Sequence, residues 1–134
     1  MYFNLKKLLL IFVFILSFYS CSNQKVNEKA EAEKDFSLLK IEFFFSEAKQ
    51  LNRIYDKVEC YATGENGDVS MISTIPKNNW EYFMIDVKMK TAWNSKADNV
   101  TLTAEVEDTG VYVQFIFKYI NSKWQLIKII DSST

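Results

Sequence analysis

The stretch VYVQFIFKYINSKWQLIKIID, residues 111–131, decides the fold. Val111, Val113, Phe115 and Phe117 alternate with Tyr112, Gln114, Ile116 and Lys118. That period of two is what a strand with one buried face requires. Asn121-Ser122 breaks the pattern with two polar residues suited to a tight turn. Trp124, Leu126, Ile127, Ile129 and Ile130 then close the domain. The segment predicts an antiparallel hairpin with one face on a core.

Upstream the same grammar repeats. Val100, Leu102, Ala104 and Val106 alternate with Thr101, Thr103 and Glu105, and Glu107-Asp108-Thr109-Gly110 turns the chain. Asn94 to Asn99 reads as a polar loop. Phe83, Ile85, Val87 and Met89 alternate with Met84, Asp86, Lys88 and Lys90, which predicts a strand there. Val58, Cys60 and Ala62 begin another. Gly64-Glu65-Asn66-Gly67 carries the Asn-Gly hairpin signal, Val69 to Ile75 returns, and Pro76 stops it. Further back the period changes. Phe36, Leu39, Phe43, Phe44, Ala48, Leu51 and Tyr55 are spaced by threes and fours, which predicts one helix over residues 35–54. Asn27 and Asp35 are the two candidates to cap its N-terminus, because the Ala/Glu/Lys content of residues 22–34 also suits an earlier helix start. Phe43-Phe44-Phe45 is wider than a single stripe needs. The expectation is an α+β domain over residues 35–134. One long N-terminal helix packs on a curved antiparallel meander of five or six strands.

The closing hairpin resembles that of cystatin-like and nuclear-transport-factor-2-like α+β domains. Together with FFFSEAKQLNRIYDKV (residues 43–58) and Trp80, it resembles a Bacteroidales lipoprotein family catalogued as a domain of unknown function. Lys49-Gln50-Leu51-Asn52-Arg53-Ile54 matches in part that family's Phe-Gln-x-x-Arg-Ile stretch, with the Arg-Ile pair kept. The resemblance spans about residues 36–131. It implies a long helix cradled by a strongly curved sheet, and it implies no activity.

The first segment reads as an address. Lys6 and Lys7 precede an unbroken apolar run from Leu8 to Leu16. The twelve residues to Tyr19 would span about 18 Å as a helix, against about 30 Å for a bilayer core. That suits a signal-peptide core over residues 1–20 rather than a membrane span. Ser20-Cys21 resembles a bacterial lipobox, so Cys21 is expected to carry acyl chains. Phe18 and Tyr19 are bulkier than that pattern's usual residues. Two or three chains would hold the protein permanently at the membrane. Ser22 fits sorting to the outer membrane, and the lack of an acidic run at residues 23–25 favours its periplasmic face. Residues 21–34 then form the lipidated cysteine and a polar tether of about 20 Å root-mean-square reach. Cys60, left without a partner, is expected to be a small buried hydrophobe. A Cys21–Cys60 disulfide is the alternative, and it is incompatible with lipidation.

Composition excludes several chemistries. The 134 residues contain no histidine, so Ser-His and Cys-His catalysis and His-ligated zinc are out. Three glycines make no phosphate-binding loop, and a net charge of −1 gives no footprint for nucleic acid. No metal or other cofactor is expected. Asp56, Asp86 and Asp131 sit beside or near tyrosines, but no spacing selects a catalytic dyad, so a non-catalytic binding domain is expected. A structural subunit of an envelope complex is the alternative, and a cone-fold enzyme is third. Candidates to line a pocket are Phe44, Tyr55, Trp80, Phe83, Trp93, Tyr112, Phe115 and Trp124. Arg53 is the sole arginine and is placed to hold a ligand carboxylate bidentately, in which case its truncation weakens binding without unfolding the domain. Arg53, Tyr55, Trp80 and Tyr112 are the leading ligand-binding set. The partners expected are the membrane, through Cys21, and a small ligand or envelope protein. Replacing Cys21 by Ala is expected to move the protein from the membrane fraction to the soluble fraction. Firm membrane retention of that variant would overturn lipid anchoring.

Overall fold

The computed structural model describes residues 25–134 apart from 87 and 97. The signal-peptide and Cys21 expectations lie outside the described residues. Helix α1 covers residues 25–42, and α2 is Glu47–Leu51. Six strands follow: β1 Ile54–Thr63, β2 Val69–Pro76, β3 Met89–Ser95, β4 Val100–Val106, β5 Val111–Ile120 and β6 Lys123–Asp131. The class is α+β, as the alternating patterns predict. Among the described residues no helix is long and apolar enough to cross a membrane.

The helix differs from its expected span at both ends. Residues 25–34, read as a tether, are helical, and Ala32 packs on the core. Ala32, Phe36, Leu39 and Phe43 form the buried stripe, spaced by fours and threes. Asp35 is therefore inside a helix rather than at its cap. The three phenylalanines mark a break, because the chain turns through Phe43–Phe45 and sends them in different directions. Phe43 is fully buried while Phe45 is 72% exposed. Ser46 restarts the chain as the cap of α2, its hydroxyl accepting the Lys49 N–H at 3.3 Å.

The sheet is mixed rather than an antiparallel meander, with strand order β2-β1-β6-β5-β4-β3. β3 to β6 do form an antiparallel meander. β1, however, lies parallel to β6 and antiparallel to β2. The chain leaves β2 at one edge, crosses the sheet through residues 77–88, and starts β3 at the other. This crossing is what makes β1 and β6 neighbours. Residues 83–86, the first half of the strand expected from Phe83 onward, belong to it and carry no regular structure. The register of the β5–β6 hairpin leaves Asn121 and Ser122 as a two-residue loop with φ of 52° and 61°. That is the positive-φ geometry that matches strand twist. Register shifts at Cys60/Tyr61 and Ile116/Phe117 bend the sheet. Its concave side holds Val58, Leu102, Phe115, Phe117 and Leu126. Phe43 sits edge-on to Phe117 with ring centres 5.2 Å apart, which docks α1 on β5.

A charged knot fixes where α1 and α2 sit. Arg53 Nη1 donates to both carboxylate oxygens of Asp35 at 2.7 Å, with side chains only 5% and 13% exposed. Asp35 Oδ2 also accepts the Trp124 backbone N–H at 2.6 Å. The Trp124 indole N–H donates to the Ala32 carbonyl at 2.9 Å. Tyr119 stacks beside that indole, with its hydroxyl buried and without a hydrogen-bond partner among the described residues. Burial, followed by the carboxylates of Glu31, Asp35 and Glu28, holds its phenol above the ordinary value.

Stranding one partner of a desolvated ion pair costs about 3–5 kcal/mol. Arg53→Met is expected to lower the unfolding free energy by that amount, measured by urea titration. Adding Asp35→Asn removes the stranded charge and keeps an acceptor for the Trp124 amide, so the double variant is expected to recover most of the loss.

Candidate functional site

Pro76 ends β2, and Lys77–Asn79 makes one 3₁₀ turn. Trp80 then returns to extended backbone and its side chain goes inside. Between this crossing segment and the sheet lies a cavity of about 570 Å³. Its floor is Val113 and Phe115 of β5 and Ile129 of β6; Thr74, Ile75 and Pro76 of β2 form one wall. Asn79, Trp80, Glu81, Tyr82 and Phe83 form the other. The volume falls in the range of small-molecule sites.

One side chain holds the second wall. Gln50 of α2 is fully buried. Its amide donates to the Phe83 carbonyl at 2.7 Å and accepts the Phe83 N–H at 2.9 Å. It also accepts the Trp80 indole N–H at 3.0 Å. At Phe83 the glutamine amide thus supplies the donor and the acceptor that a neighbouring strand would. Tyr82 donates its hydroxyl to the Phe44 carbonyl at 2.6 Å. Phe83 packs on Phe115 with ring centres 4.7 Å apart. Both polar aromatics therefore spend their donors on the protein.

The leading set from the sequence does not come together. Trp80 lines the cavity. Arg53 does not line it, because its guanidinium is buried on Asp35. The consequence reverses the expectation for its truncation, which now predicts lost stability. Tyr55 is 56% exposed beside a shallow hollow with Asp56, Lys57 and Glu59. Tyr112 pairs with Glu105 and lies on the face of β5 opposite to Phe115. Of the wider aromatic set, Trp80, Phe83 and Phe115 reach the cavity. Trp93 instead packs between Phe36 and Phe117, and Trp124 belongs to the charged knot. Gln50 and Glu81 were not singled out by the sequence. Gln50 does lie within the Lys49–Ile54 stretch on which the resemblance rests, three residues before Arg53, but no spacing announces its burial.

The carboxylates named as possible bases lie elsewhere. Asp56 is exposed, Asp86 accepts the Lys88 N–H, and Asp131 accepts the Ser133 N–H. Cys60 is a half-buried free thiol on β1. A second hollow of about 690 Å³ is walled largely by Lys25, Glu28, Lys29 and Lys118. Long solvated chains of that kind do not hold a shape, whereas the pinned aromatics do.

No protein-family model matches the chain, and no curated protein matches it. Among solved structures, an NTF2-like protein from Bacteroides fragilis is similar with a TM-score of 0.48 and 17% identity. The match covers 69% of this chain and 44% of that one, so the chain spans less than half of the Bacteroides protein. An NTF2-like protein of unknown function from Shewanella baltica gives a TM-score of 0.40 and 9% identity, covering 83% of this chain and 94% of that one.

Gln50→Leu leaves two N–H groups and one carbonyl without their partner. Each unmade buried bond costs about 1–3 kcal/mol, with relaxation reducing the sum. The variant is expected to lose about 2–4 kcal/mol of stability. Hydrogen exchange at the Phe83 amide should rise more than at β5 amides. Equal acceleration at both would show that Gln50 does not act locally on this wall.

Proposed function

We propose that this chain is a non-catalytic binding domain, held at the cell envelope by acyl chains on Cys21, that captures a small and mostly apolar ligand. The cavity beneath the crossing segment is the observation that carries the binding reading. Its floor is aliphatic and aromatic, its wall is fixed from behind by Gln50, and its volume of about 570 Å³ suits a small organic molecule. The anchor rests on the residues themselves: a short basic start, an apolar run too short to span, and Ser20-Cys21. Outer-membrane sorting towards the periplasm is part of the same reading.

A second reading is that the chain docks in an envelope complex. It draws on β2, an edge strand without charged residues on which Val69, Met71 and Ile72 are 51–63% exposed. Such an edge offers free main-chain hydrogen-bonding groups.

Native mass spectrometry separates the two. Protein extracted from membranes in mild detergent is expected to carry an added small-molecule mass that disappears on denaturation. Trp80→Ala should abolish that mass. A monomer with no added mass would overturn small-ligand capture, and a reproducible larger complex would favour the docking role.

A further inference from the structure

We infer that the ligand of this cavity is an organic cation, a tertiary or quaternary ammonium on an apolar body. The inference rests on the binding reading above and names its chemistry. Three ring-bearing residues, Trp80, Tyr82 and Phe83, stand on one wall and Phe115 on the floor. The Trp80 N–H is taken by Gln50 and the Tyr82 O–H by the Phe44 carbonyl. With those two donors taken, what these side chains have left to offer a ligand is aromatic ring. Aromatic faces carry negative charge in their quadrupole and attract cations.

The charged groups agree. Glu81 is the one residue charged at neutral pH among the described lining residues. An anionic ligand would lose its water here with no lysine or arginine to replace it. A neutral polar ligand would find side-chain donors only on Asn79 and Thr74. A cation instead meets ring faces and a carboxylate, and its methyl groups suit the Ile75, Val113 and Ile129 surface. A phosphate-bearing headgroup brings back the unmatched anion, so the expected source is a free cation rather than a lipid headgroup.

The test uses three probes of similar shape and a phosphorylated fourth on the detergent-extracted full protein, followed by the NMR signal of the Trp80 indole N–H. Choline is compared with 3,3-dimethyl-1-butanol, its neutral carbon isostere, with 3,3-dimethylbutanoate, and with phosphocholine. Choline is expected to bind about 2- to 30-fold tighter than the alcohol, the span of cation–aromatic contacts from exposed to desolvated. The carboxylate and phosphocholine should bind more weakly than choline. Glu81 is exposed, so Glu81→Gln should fold normally, reduce choline binding and leave the alcohol unchanged. If the alcohol or the carboxylate binds as well as choline while shifting Trp80, the cation assignment fails and the cavity remains a binding site. Tighter binding of phosphocholine would overturn the free-cation source in favour of a headgroup. No shift of Trp80 with any probe would overturn both readings.

Discussion

The ion pair between Asp35 and Arg53 is the constraint on which the rest of the molecule depends. Arg53 is the only arginine, and it is spent inside the protein. Two opposite charges out of water are tolerable only when their remaining hydrogen-bonding capacity is met. Here the second demand on the carboxylate is filled by the Trp124 amide. The Arg53 carbonyl, in turn, accepts the Leu126 N–H at the point where β1 starts beside β6. One knot thereby joins the middle of α1, the exit from α2 and the start of β6. It sets the parallel neighbours at the centre of the sheet and lays α1 across β5.

The cavity is a consequence of that placement. Fixing the exit of α2 also fixes Gln50, one turn earlier and facing the crossing segment. A stretch without its own ladder is then anchored by a single amide at Trp80 and Phe83. Few backbone bonds hold this wall, so its local opening free energy lies below that of the β4–β6 core. A wall of that kind can adjust to a ligand while the floor on β5 and β6 stays rigid. The arrangement separates the residues that shape the site from those that hold the fold.

The β2 edge meets the opposite problem. It carries no charge to discourage pairing, and its apolar side chains are largely exposed. Besides the terminal Pro76, its guard is the irregularity opposite Cys60 and Tyr61, where Ile72 has no partner in the register. A bulge bends the strand away from flat edge-to-edge growth. The same strand supplies a wall of the cavity through Thr74, Ile75 and Pro76. Anything paired along this edge would therefore sit at the rim of the site.

Short-range patterns were legible in the sequence because their causes are local. The period of two through Val111–Phe117 reports one buried face of β5, and Asn121-Ser122 reports a turn that two residues can make alone. The α+β class and most strand positions follow from such repeats, and Trp80 and Phe83 were legible as ring-bearing lining candidates. Residues 83–89 show where the argument stops. Their alternation is real, yet Phe83 is paired with the side chain of Gln50, far away in sequence, and ladder pairing begins only at Met89. Arg53 looked available because charge is a property of one residue, while its burial depends on Asp35 and Trp124 arriving from elsewhere. By itself the sequence determined the class, most of the strands, their turns and the residue chemistries it lacks, since each needs only neighbouring residues. Only the tertiary structure decided the parallel pairing of β1 with β6, the burial of the lone arginine and the walls of the cavity. Those rest on contacts between segments distant along the chain, and no local repeat records them.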